Sequence, residues 1–156
     1  MATIKTFEDI EAWKKARILS NEIYELTLIG TFAKDYSLKD QINRSSGSVM
    51  DNIAEGFERN GRKEFIQFLS YAKGSVGEVR SQLYRANDRN HINTNDFQSL
   101  SEKTTEVGKM IGGLMNYLVK SDIKGTKFLE EPASPYDVSQ IQNIFQEDNE
   151  TTHTEL

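Results

Sequence analysis

Four stretches of the chain place an apolar residue at every third or fourth position, the spacing of one face of an α-helix. The first runs from about Phe7 to Leu28 through Ile10, Trp13, Ala16, Leu19, Ile23 and Leu26. The second runs from about Leu38 to Arg59 through Ile42, Ser46, Val49, Ile53 and Phe57. The third, from about Arg62 to Arg89, carries Phe65, Leu69, Ala72, Val76, Val79, Leu83 and Ala86. The fourth, from about Thr94 to Lys120, carries Phe97, Leu100, Thr104, Val107, Ile111, Leu114 and Leu118. Turn chemistry punctuates them. Thr6 with Asp9 reads as a weak capping box, and Gly30 as a stop. Ser37 reads as the cap of the second stretch, with Asp40 at N3. Asn60-Gly61 and Asn90 suit left-handed helix ends, and Asn93 with Asp96 opens the fourth stretch.

No stretch alternates with period two, and proline is absent before Pro132. Short links make neighbouring helices antiparallel. The expected fold is all-α: an up-down-up-down four-helix bundle over residues 1–120 and an acidic C-terminal extension over 121–156. Its core should bury Trp13, Leu19, Ile23, Ile42, Val49, Ile53, Phe65, Leu69, Val76, Leu83, Val107, Ile111 and Leu114.

Charge adds the tail to this picture. The net charge is -5, yet residues 1–120 hold 17 Lys+Arg against 16 Asp+Glu, and residues 121–156 hold 2 against 8. A nearly neutral body therefore carries an extension of charge -6. Within the extension Ser134, Pro135 and Asp137 form a helix start, and Val138, Ile141 and Phe145 follow at helical spacing. A short amphipathic helix over about 135–146 is expected to dock on the same or a neighbouring subunit and cover basic positions such as Arg80, Arg85 or Arg89.

The length of 156 residues suits one domain of ordinary size. No apolar run approaches the ~18 residues of a membrane span, and no secretory pattern opens the chain. A soluble, cytoplasmic protein with no membrane role is the expectation. The absence of cysteine excludes disulfides, thiol catalysis and thiolate metal sites.

Candidate chemistry is sparse. There is no nucleotide-binding glycine motif, no metalloprotease motif and no calcium-binding loop. A single E-x-x-H, Glu150 to His153, stands in the polar tail, whereas a bundle metal site needs two such motifs and two more carboxylates. His91 falls at a helix–helix link, where an exposed histidine is ordinary. These features predict no catalytic residues, no metal, no cofactor and no small-molecule substrate, hence no enzyme.

Three polar patterns carry more. On the second stretch Gln41, Arg44, Ser48, Asn52, Glu55 and Arg59 form a line beside the apolar stripe, which reads as a solvated edge, as hydrogen bonds to a neighbouring helix, or as a polar seam at a subunit interface or ligand groove. Gly74 and Gly77 lie inside the third helix, and Gly108, Gly112 and Gly113 inside the fourth. Each costs ~1 kcal/mol relative to alanine, and close approach of another helix is the simplest compensation. Arg44, Ser48, Asn52, Glu55, Gly108 and Gly112 are thus the interface candidates. For nucleic acid the candidates are Arg59, Arg62, Lys63, Lys73, Arg80, Tyr84, Arg85 and Arg89, with phosphate contact and base stacking as the chemistry. Asp51, Glu55, Glu58, Glu64, Glu78 and Asp88 interrupt them in sequence and weaken a continuous positive field.

Three blocks in order carry a family resemblance. They are Phe7-Glu-Asp-Ile-Glu-Ala-Trp13-Lys-Lys-Ala16, then Gln41-Ile-Asn-Arg44-Ser-Ser-Gly-Ser48-Val49 leading into Asn52-Ile-Ala-Glu-Gly-Phe57, then Lys63-Glu-Phe-Ile-Gln-Phe-Leu69-Ser-Tyr-Ala72-Lys-Gly-Ser75. Over residues of about 4–120 the chain resembles the bacterial four-helix-bundle proteins also called 23S ribosomal RNA intervening-sequence proteins. It is more distantly similar to the accessory variability determinant of diversity-generating retroelements. The resemblance implies a ring of identical protomers, typically a homopentamer, and no assigned catalysis. The retroelement relative is basic and associates with RNA and a reverse transcriptase. This chain departs from the pattern at Asn43 and Met50, where the family usually has a basic residue and a proline, and its body is close to neutral. The expected function is a non-enzymatic, ring-forming binding module for structured RNA or an RNA-associated protein. The alternative is a protein–protein adaptor with no nucleic-acid role.

Overall fold

A computed structural model describes residues 3–121. Among them the periodic stretches form four α-helices and no strand: α1 (Glu11–Leu26), α2 (Tyr36–Glu58), α3 (Arg62–Asp88) and α4 (Thr94–Lys120). α2 packs on α3, α3 on α4, and α1 on both α2 and α4, which closes a four-helix bundle around one core. The tail, its 135–146 helix and the E-x-x-H all lie outside the described residues.

Cross-helix pairs show the direction of each helix. Ser45 and Ser48 of α2 meet Gln82 and Ser75 of α3, so one number rises as the other falls. Lys15 and Glu22 of α1 pair with Glu106 and Lys103 of α4 in the same inverse order. Arg62 at the start of α3 donates to the backbone carbonyl of Ser121 at the end of α4. Packed neighbours are antiparallel at each of these three contacts.

Twelve of the thirteen expected core side chains are buried. Trp13 is the exception. It is half-buried, in edge-to-face contact with Phe7 at 5.1 Å and under the Arg17 guanidinium at 5.7 Å. An indole is large enough to leave the stripe and lie on a helix shoulder, with its rim in water. Residues outside the helices complete the core: Ile4, Ile10, Phe32 and Ile92 are all buried.

Two helix starts differ from the sequence expectation. Thr6 and Asp9 do cap, but they cap a single 3₁₀ turn, Phe7–Asp9, in which Asp9 Oδ2 accepts from the backbone N–H of Lys5 and Thr6. Ile10 is then extended, and α1 begins only at Glu11. The apolar rhythm continued through the break because Ile10 enters the same core. α2 is capped by Asp35, not Ser37: its Oδ1 accepts from Leu38 N–H at 3.2 Å, and the helix starts at Tyr36. Asp35 has a second set of partners, described below, that Ser37 lacks. Asn60 and Asn90 take φ of 59° and 57°, the left-handed ends expected of them. Asn93 Oδ1 accepts from Asp96 N–H at 2.7 Å and starts α4.

Candidate functional site

The polar line of α2 divides when folded. Ser48 and Asn52 are half-buried against α3: the Ser75 hydroxyl donates to Ser48 at 3.0 Å, and the Asn52 amide donates to Ser48 at 2.9 Å. One turn earlier, Ser45 donates to Glu78 at 2.9 Å and accepts from Gln82 at 3.0 Å. Arg44 and Glu55 lie outside this seam. Arg44 pairs with Asp40 at 3.1 Å, and Glu55 accepts from Arg59 at 2.9 Å.

The glycines divide too. A Cβ on Gly108 would stand 3.1 Å from Val76 Cγ1, so α4 does come close to α3 there. Gly112 is buried. Gly74 and Gly77 meet nothing within 4 Å, so close approach inside the bundle does not explain them. Gly56 is tighter than Gly108: a Cβ there would stand 2.6 Å from Phe68 Cβ and 3.0 Å from Phe65 Cδ2. The sequence held a signal for it: Gly56 lies three residues after Ile53 and next to Phe57, on the core side of its helix.

The candidate nucleic-acid residues separate by their partners. Arg59 pairs with Glu55 and lies 4.8 Å over the Phe68 ring, and Arg62 is engaged with Ser121. Arg85 donates to Gln41 at 2.8 Å, and Arg89 pairs with Asp35 at 2.8 Å. Tyr84 is half-exposed, edge-on to Phe97 at 5.0 Å. Lys63, Lys73 and Arg80 are exposed and make no ion pair among the described residues.

Two of those cations share a groove with a glycine from the interface set. A trough of about 430 Å³ runs between α3 and α4, lined by Lys73, Val76, Gly77 and Arg80 on one side and Thr105, Gly108 and Lys109 on the other. Lys109 was not anticipated. Its signal was its place one turn after Thr105 on the flank of the glycine stripe.

Across the bundle a larger trough, about 900 Å³, follows α1 beside α2. Trp13, Ile18, Tyr24 and Met50 supply its apolar surface, and Lys14, Arg17, Glu22, Asn21 and Asn43 are among the polar residues that line it. Ile18 and Tyr24 are 57% and 50% exposed and lie together in this trough. Sequence reasoning passed over both because they fall off the core stripe. That off-stripe position was itself the signal.

His91 is not the exposed link histidine expected from its position. Its Nε2 is 2.8 Å from Asp35 Oδ2 and its Nδ1 is 2.8 Å from Thr31 Oγ1. Its ring stacks on buried Phe32 at 5.2 Å. The His91 hydrogen bond, with that of Arg89, holds the Asp35 carboxyl at about 2, below its usual range. One carboxylate thereby ties the start of α2 to the end of α3 and to the link beyond. Among the described residues no cluster of three or more His, Asp or Glu could hold a metal ion, and no helix is long and apolar enough to cross a membrane.

The geometry defines a small helical bundle with a trough of mixed apolar and polar lining on one side and a basic, glycine-lined trough on the opposite side. The chain belongs to the family described as 23S rRNA-intervening sequence protein, whose model matches residues 8–113. Its fold is similar to the crystal structure of a protein of unknown function from the S23 ribosomal protein family of Bacteroides thetaiotaomicron. That likeness has a TM-score of 0.59 at 22% identity and covers 70% of this chain and 99% of the other. No curated protein matches the chain.

Proposed function

We propose that this protein is a non-enzymatic, ring-forming module that associates with structured RNA. The observation that carries the reading is the pair of unlike faces. The α1–α2 trough offers Ile18, Tyr24 and Trp13 among polar neighbours to a second copy, and the basic α3–α4 trough on the other side offers cations to a polyanion. A contact that joins the α1–α2 face of one copy to a different surface of the next is heterologous, and such contacts close into rings when the rotation allows. Five copies is the expected number. The family description, which names an intervening sequence of 23S rRNA, supports RNA as the partner class.

A second reading, an adaptor between proteins, is favoured by one specific observation. Arg59, Arg62, Arg85 and Arg89, half of the eight residues picked out for nucleic acid, are all engaged within a nearly neutral body.

Light scattering tests the assembly. The full chain at micromolar concentration should give a multiple of the monomer mass, and Ile18→Glu with Tyr24→Glu should return it to monomer with helical signal intact. A wild-type monomer overturns the ring. Salt separates the partner classes: RNA affinity should fall steeply as salt rises, whereas an apolar protein contact should hold.

A further inference from the structure

We infer that the α3–α4 trough is the RNA site, binding the phosphodiester backbone through Lys73, Arg80 and Lys109 over a floor opened by Gly77 and Gly108. The inference rests on the RNA reading above and gives that reading a location.

Charge sorting is the first support. In sequence the cations are interrupted by carboxylates, but the fold turns the nearest ones away. Glu78, next to Gly77, accepts from Ser45 on α2 at 2.9 Å. Glu106, next to Thr105, pairs with Lys15 on α1 at 2.5 Å. Lys103 is likewise drawn off to Glu22 of α1. Lys73, Arg80 and Lys109 are left exposed with no ion pair among the described residues. Asp88 and Glu102, also exposed, lie about two turns from Arg80 and Lys109, toward the α3–α4 link. Lys63 and Lys120 are exposed at the other end, where Arg62 closes on Ser121.

Shape is the second support. Nothing lies within 4 Å of a Cβ built on Gly77, and the Gly108 position is closed on one side only, by Val76. Two missing side chains open the trough between the cations, and Thr105 lines it beside them. A polyanion chain matches the charge of the three cations. Tyr84, one turn beyond Arg80 and half-exposed, is placed to stack a base.

The test uses the full chain and a fluorescently labelled RNA hairpin, read by anisotropy. The variant joins Lys73→Gln, Arg80→Gln and Lys109→Gln. Its control removes equal charge elsewhere, with Lys5→Gln, Lys34→Gln and Lys39→Gln. The trough variant should lose about tenfold or more in affinity, and its log–log salt slope should shrink by roughly 2, as expected for three single-strand phosphate contacts. The control should lose less than threefold. Equal losses in the two variants, or no loss in either, overturn the trough while leaving RNA binding standing. If wild type does not bind the hairpin, the RNA reading itself fails. Lysine acetylation footprinting with inorganic polyphosphate then decides the trough alone. Protection of Lys73 and Lys109 but not Lys34 keeps it as an anion site, and uniform or absent protection ends it.

Discussion

α3 meets α2 along one side and α4 along the other, and glycine has opposite consequences at the two contacts. At Gly56 the helices touch so closely that an added methyl group would overlap Phe68 Cβ, an atom fixed to the backbone of α3. Beside it the α2–α3 contact is stitched by Ser45, Ser48, Ser75, Glu78 and Gln82. At Gly77 the same residue type faces open space, between cations that have no carboxylate partner. The α2–α3 contact uses Gly56 for internal fit. The α3–α4 contact does the same with Gly108, which stands against Val76, but leaves Gly77 facing outward.

The largest effect should come from closing the tight contact. Gly56→Ala forces Phe68 and Phe65 to move, and overpacking of this kind costs roughly 1–3 kcal/mol. Chemical denaturation should show the midpoint falling with an unchanged slope. An unchanged midpoint would mean that α2 and α3 are not held at the distance described.

The carboxylate at the end of the same contact gives the next effect. Asp35 caps α2 and ties it to Arg89 and His91. Asp35→Ala removes the cap, worth ~1 kcal/mol, and strands both partners, so a loss of about 1–2 kcal/mol is expected at neutral pH. The sign of its pH dependence follows from the depressed value. A carboxyl at about 2 when folded, against 3.8 ordinarily, stabilises the fold fully above pH 4 and progressively less as pH falls toward 2. Urea midpoints of wild type and variant should therefore converge between pH 4 and pH 2. A gap that stays constant over that range would assign the loss to packing of the link and not to the charge.

The contrast between the contacts also explains what the sequence could disclose. Helix periodicity is a local property, so the four helices and twelve core positions were legible from spacing alone. Trp13 was misread because a pattern records apolar character and not which part of a large ring stays wet. Asp35 and His91 lie 56 residues apart, and nothing near either one announces the other. The two sets of site residues show the same limit. Lys73, Arg80 and Gly108 were each picked out, for different purposes, but whether Glu78 neutralises Lys73 or turns toward Ser45 is decided by a neighbouring helix. Gly56 and Gly77 look alike in one dimension. Only the packing partner distinguishes a glycine that must be small from one that leaves room.

Gly77→Ala should give the smallest effect and the most discriminating one. The added methyl meets no atom within 4 Å, so the substitution escapes the overlap that penalises Gly56→Ala. Alanine is favoured over glycine in a helix interior by ~1 kcal/mol, and an exposed site should realise about 0.5–1 kcal/mol of it. The thermal midpoint should rise by a few degrees, so the same chemical change would have opposite signs on the two sides of α3. A residue that lowers stability when a better helix former fits is expected where function uses the space. If RNA lies in the trough, the same methyl narrows it, and hairpin affinity should fall by about two- to fivefold while stability rises, an order of 0.4–1 kcal/mol at RT of about 0.6 kcal/mol. A rise in both stability and affinity would place the RNA elsewhere. A fall in stability would show that Gly77 faces a neighbouring subunit, and the trough would then belong to the ring contact.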